Sequence, residues 1–154
     1  MGINIKNYTS TVDAIKSMAN IESYLVEIGA KNINKEYKDK VCVGIMFLLD
    51  VDELNGQTIP FKLTAEKEKC YQVLLEKKEK ETVRGVKEGA KEKIREQAER
   101  TAWKIVSDWV EIQCSMVMLE QAKPLQMFLP YVYDANKNQT LHDKIIGGDI
   151  KLLT

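Results

Sequence analysis

The sequence predicts an α+β fold: a small, mostly antiparallel sheet covered by helices. Three observations carry that prediction. The run Val41 to Val51 is apolar on both faces of a strand repeat. The stretch Gly89 to Lys123 is the longest uninterrupted helical pattern in the chain. Turn and stop signals between them give the order β-α-β-β-β-α-α-α, strands grouped first and helices after.

Taken in order, Ile3 and Ile5 alternate with Asn4 and Lys6 and read as a short strand. Ser10 and Asp13 resemble a capping box at the start of a helix. That helix carries Ile15, Met18, Ile21, Leu25 and Ile28 on one face and ends at Gly29. Lys31 to Tyr37 is a weak polar strand, and Tyr37-Lys38-Asp39-Lys40 a turn. In the strand Val41 to Val51, both faces are apolar, which makes it central or covered twice. Asn55-Gly56 is a hairpin signal, and Gln57 to Leu63 returns with Ile59, Phe61 and Leu63 inward. Pro60 cannot donate a ladder hydrogen bond, so this is an edge strand.

Ala65 to about Lys80 reads as a helix burying Cys70, Tyr71, Val73, Leu74 and Leu75. Thr82 to Gly89 is a glycine-bearing linker. The long helix that follows is charged nearly all round before Thr101 and apolar after it. The apolar part leaves a polar stripe of Lys104, Asp108, Glu111 and Ser115 at spacing i, i+4, i+7, i+11. At 1.5 Å per residue, a helix of about 35 residues is roughly 50 Å long, longer than a domain of this size is wide. It projects, kinks or packs on another subunit, and we expect a homo-oligomer through it. Trp103, Trp109, Ile112 and Met116 are the interface candidates. Pro124 interrupts the pattern, and Leu125 to Tyr133 packs back on the core. Thr140 with Asp143 starts a last helix that Gly147-Gly148 stops, and Ile150, Leu152 and Leu153 add a strand or dock.

The 154 residues read as a single domain, with a sheet part over 1–63 and a helical part over 64–154. Lysine plus arginine balance aspartate plus glutamate at 23 each, which argues against a simple duplex-coating nucleic-acid binder. The scattered cysteines Cys42, Cys70 and Cys114 read as buried free thiols of a reducing compartment. There is no apolar leader and no apolar run long enough for a bilayer, so the expectation is a cytoplasmic protein with no membrane role.

All three arginines, Arg84, Arg95 and Arg100, fall in one short stretch. Arginine suits bidentate phosphate recognition, so these three with Lys104 form a candidate anion site. On a helix Arg100 and Lys104 share a face and Arg95 points elsewhere; the plainer reading is a solvated face laced with i,i+4 pairs. Asp108 and Glu111 beside Lys104 offer acid–base groups or, more simply, an interface ion pair. Tyr131 and Tyr133 alternate as bases would stack or as core residues pack. His142 is alone, without a nucleophile nearby in sequence. Asp50 and Asp52 suggest a calcium loop, but Leu54 and Phe61 stand where ligands are needed. No phosphate loop, dinucleotide fingerprint or paired-cysteine motif occurs, so no catalytic residue, metal or cofactor is assigned and no enzyme is expected.

The segment AERTAWKIVSDWVEIQCSMVMLEQAK followed by FLPYVY resembles a family of small proteins of similar length encoded by tailed phages and prophages. INIKNYTSTV, IESYLVEIGA, TIPFKL and TLHDKIIGGDIKLL resemble it too, so the likeness covers nearly the whole chain. That family has no established activity, so the resemblance carries no site residues. It implies a phage accessory protein in the host bacterial cytoplasm. The expected function is counter-defence without catalysis: binding or sequestering a phosphate-bearing host immune signal or a host defence protein. A nucleic-acid-binding role in phage replication or recombination is the alternative.

Overall fold

The computed structural model describes residues 4–150. The fold is α+β. Helix α1 spans Ala14–Glu27, strands β1, β2 and β3 span Lys31–Lys38, Val41–Val51 and Gln57–Thr64, and α2 and α3 span Lys67–Glu81 and Glu88–Met118. A short α4 (Pro124–Phe128), a two-residue hairpin β4–β5 (Tyr133–Asp134 and Gln139–Thr140) and α5 (Leu141–Ile146) follow. The chain divides into two compact units, each built from two segments. One holds the residues up to Glu22 with Ala65–Glu111; the other holds Ser23–Thr64 with the residues from Ile112 onward. One crossing, Thr64 to Ala65, falls at the end of β3. The other two fall inside α1 and α3, where no break in helical periodicity marks them.

The second unit holds the sheet, ordered β1-β2-β3 and antiparallel throughout. Its central strand is β2, as its two apolar faces require. Asp39 and Lys40 turn the first hairpin with positive φ, 52° and 64°, the primed turn that matches strand twist. Between β2 and β3, a 3₁₀ turn over Asp52–Leu54 precedes Asn55-Gly56, and both of those residues take positive φ. Ile45, Phe47, Leu49 and Val51 of β2 are buried with Phe61 and Leu63 of β3. Phe128, delivered by α4, completes an aromatic core. The Phe47 and Phe61 rings stack at 5.3 Å, and Phe128 meets them edge-on at 5.6 and 6.2 Å.

On the sheet's other face Lys62 is buried and pairs with Glu36. It also lies 5.0 Å from the centre of the Tyr133 ring. Its stem crosses Gly44, where a Cβ would stand 3.1 Å from Lys62 Cε and 3.2 Å from the Leu63 carbonyl oxygen. Pro60 sits on β3 opposite Leu48, and among the described residues a single bridge, Phe61 to Val132, forms beyond that strand. The β4–β5 hairpin was not foreseen. The capping box of α5 was: Asp143 N–H donates to Thr140 Oγ1 at 3.2 Å, and Thr140 N–H to Asp143 Oδ2 at 2.9 Å.

Three helices, α1, α3 and α5, end in the same motif, the last with Gly148 at φ 82°. At α1, Gly29 takes φ 96°, its N–H donates to the Val26 carbonyl, and that of Ala30 to the Leu25 carbonyl. At α3, Glu120 takes φ 56° and repeats the pattern, with Gln121 N–H on the Met116 carbonyl. The helix therefore stops at Met118 and does not run on to Lys123.

The expected first strand does not form. Ile3 lies outside the described residues, Ile5 is irregular, and residues 6–9 turn, with Asn7 at φ 62°. Ile5 instead packs on the cluster around Cys70 and Leu74, and no neighbouring strand lies beside it among the described residues. Nor does Ser10 cap α1: its hydroxyl accepts from Val12 N–H at 3.2 Å and the helix starts at Ala14. On α2, Cys70, Tyr71 and Leu74 are buried as expected, but Val73 is exposed, one position off the buried face. Leu152 and Leu153 lie outside the described residues.

Candidate functional site

The densest polar constellation lies in the first unit, where residues 4–10 run over α2 and α3. One row of α3 side chains, Gln97, Thr101, Lys104 and Asp108, repeats at i, i+4, i+7, i+11 and so shares a face. Thr101 is fully buried, and its hydroxyl donates to the Asn7 carbonyl at 2.9 Å. Gln97 Nε2 donates to the Ser10 carbonyl at 2.9 Å and to Thr101 Oγ1 at 3.0 Å. Arg100 Nε reaches the same Ser10 carbonyl at 3.3 Å while its other arm donates to Gln97 Oε1. Below them Asp108 accepts from Asn7 Nδ2 at 2.9 Å and from Lys104 at 2.7 Å, with Lys6 at 3.3 Å.

The segment is also held by apolar contact. Ile5 and Tyr8 pack on a cluster of Cys70, Tyr71, Leu74, Ala98 and Ala102. Lys77 of α2 caps this end, 3.8 Å from the Tyr8 ring centre and 3.1 Å from Asn4 Oδ1.

Burial alone would push the Asp108 carboxyl up. Hydrogen bonds from Lys104 and Asn7, the Lys104 charge and Lys6 outweigh it and hold the group below the ordinary carboxylate range. Asp108 is thus a fixed anion in a structural network, not a group poised to exchange a proton near neutrality. Glu111 is exposed.

The candidate anion site is not assembled. Arg84 lies exposed in the stretch between α2 and α3. Arg95 stacks on Tyr71, 3.8 Å from its ring centre, and pairs with Glu68 at 3.4 Å. Arg100 and Lys104 share the opposite face of α3 and are committed to Ser10, Gln97 and Asp108. The i+5 spacing of Arg95 and Arg100 turns them away from each other. Clustering in sequence did not become clustering in space.

The interface candidates divide as well. Trp103 is fully buried within the chain and cannot serve as a contact with another copy. Trp109 and Met116 are half-buried, and Ile112 is 58% exposed. Met118 and Leu119, not singled out from the sequence, are 63% and 74% exposed at the end of α3. Tyr133 is half-buried, and its hydroxyl donates to Asn138 at 2.7 Å. His142 is exposed beside Asp143. Asp50 is occupied by Thr58 and Lys31, whose hydrogen bonds keep its carboxyl below the usual range. Among the described residues no group of three or more His, Cys, Asp or Glu is placed to hold a metal ion. No described helix is long and apolar enough to cross a membrane.

No family model, curated protein or solved structure matches the chain. The reading of the site therefore rests on its own geometry.

Proposed function

We propose that this protein is a non-enzymatic phage accessory protein of the host cytoplasm that self-associates through α3 and works by binding a host defence protein. The observation that carries the reading is the apolar end of α3, where Ile112, Met118 and Leu119 stand well exposed. Exposed large apolar side chains favour contact with another protein surface. The resemblance to small phage-encoded proteins supplies the counter-defence context. A protein partner is favoured over a phosphate-bearing signal because Arg95, Arg100 and Lys104 already have partners within the chain.

The test is native mass spectrometry of the protein from a bacterial lysate, before and after denaturation. An oligomer that Ile112→Asp converts to monomer supports self-association through α3. A wild-type monomer removes that part of the reading. A retained nucleotide-sized mass would restore the phosphate-bearing signal, and retained nucleic acid would favour the replication role.

A further inference from the structure

We propose that the groove between α2 and α3 is a binding site for a turn-forming polypeptide segment, which the chain's own residues 4–10 occupy as a detachable strap. The residues that grip the strap all lie outside it. Thr101, Gln97 and Arg100 of α3 hold two main-chain carbonyls, those of Asn7 and Ser10. Main-chain carbonyls are common to every polypeptide, so this part of the grip does not depend on the bound sequence. Specificity comes from the bed beneath. Tyr8 and Ile5 rest on the cluster around Cys70 and Leu74, and Lys77 covers the Tyr8 ring. The ligand class follows directly. It is a segment that turns between positions i and i+3, as Asn7 to Ser10 do, presenting those two carbonyls to the α3 row and an aromatic side chain at i+1 to the Lys77 pocket.

The strap's own conformation suits release. It joins no sheet, and among its described residues one internal main-chain bond is seen, from Ser10 N–H to the Asn7 carbonyl at 2.9 Å. What holds it is side-chain contact. Release would bare the polar row and the apolar bed together, which is the composition of a peptide groove. The site shares no residue with the exposed end of α3, so either proposal can fail alone.

The experiment is fluorescence polarisation of a labelled synthetic peptide of residues 4–13 against three full-length proteins: wild type, Tyr8→Ala, and Tyr8→Ala with Thr101→Val. Tyr8→Ala removes the strap's anchor and leaves the groove intact. Saturable binding to Tyr8→Ala, at least tenfold tighter than to wild type and lost on adding Thr101→Val, supports the site. A folded Tyr8→Ala protein that binds no peptide, or binds it no better than wild type, overturns it. So does indifference to Thr101→Val. Should Tyr8→Ala not fold, Ile5→Ala, which also lies in the strap and leaves the groove intact, replaces it; failure of both to fold would make the strap part of the folding core and end the proposal.

Discussion

The two units are held together in different ways. The sheet unit is fastened by apolar rings: Phe47, Phe61 and Phe128 bury one another, and no polar group is needed among them. In the strap region of the helical unit, polar bonds add to the apolar seat of Ile5 and Tyr8. Buried or half-buried side chains of α3 spend their hydrogen bonds on another segment's backbone carbonyls. The difference matters because the two kinds of contact release differently. Prying apart a packed aromatic core exposes apolar area at about 25 cal/mol per Å². Lifting a strap exchanges protein hydrogen bonds for water, at a net of only about 1 kcal/mol each. A protein built this way can open one region while the other stays shut.

Substitutions sharpen the contrast. Phe61→Ala should have the largest effect, a loss of roughly 3–5 kcal/mol in urea unfolding, because it empties the centre of the aromatic core. Gly44→Ala should cost about 1–3 kcal/mol. The new methyl meets Lys62 and the Leu63 carbonyl, and Lys62 is pinned by Glu36 and Tyr133. Thr101→Val should cost about 1–2 kcal/mol, because it takes one of two donors from the Asn7 carbonyl and an acceptor from Gln97 Nε2. The loss should appear as local opening of the strap before any change in the sheet, read by hydrogen exchange. Were Phe61→Ala milder than Thr101→Val, the division of labour between the two units would be reversed.

Acid gives a subtler probe. The folded-state pKa of Asp108 lies below its unfolded value, so ionised Asp108 contributes stability fully above the unfolded value, about 4. That contribution fades as pH falls through the depressed folded value. Strap opening should therefore rise below about pH 4 in the wild type and be flatter in Asp108→Asn. The smallest effect should be a gain. Glu120 holds a left-handed conformation that Gly29 holds without strain at the end of α1. Glu120→Gly should raise stability by up to about 1 kcal/mol, and a loss would show that its side chain matters there.

The elements that sequence revealed are those decided by local pattern. Alternation placed β1 to β3, Pro60 marked the edge, and Thr140 with Asp143 capped α5. The charged-to-apolar change along α3 was plain too. What was hidden depends on partners far along the chain. Isoleucine alternation at the start resembles a strand, but a strand needs a neighbouring ladder, and Ile5 packs on the cluster around Cys70 instead. Helical spacing correctly turned Arg95 away from Arg100, yet could not say that Tyr71 and Ser10 would take them. Trp103 and Trp109 looked equivalent; which tryptophan is fully covered depends on what packs there, and spacing is silent on that. A usable hint was present, since a row of Gln97, Thr101, Lys104 and Asp108 has the hydrogen-bonding groups of a gripping face.

The three cysteines provide the most direct test of the contrast between the units. Cys70 lies in the cluster under Ile5 and Tyr8, whereas Cys42 and Cys114 are buried in the sheet-bearing unit. Burial raises the thiol pKa of Cys70 and of Cys114, the latter to about 11, so labelling requires opening. The decisive measurement is native-state thiol labelling resolved by site with mass spectrometry, in wild type and Tyr8→Ala. The account predicts that Cys70 reacts at least tenfold faster than the other two, and that Tyr8→Ala accelerates Cys70 alone. Equal rates for all three, set by global unfolding, would contradict it.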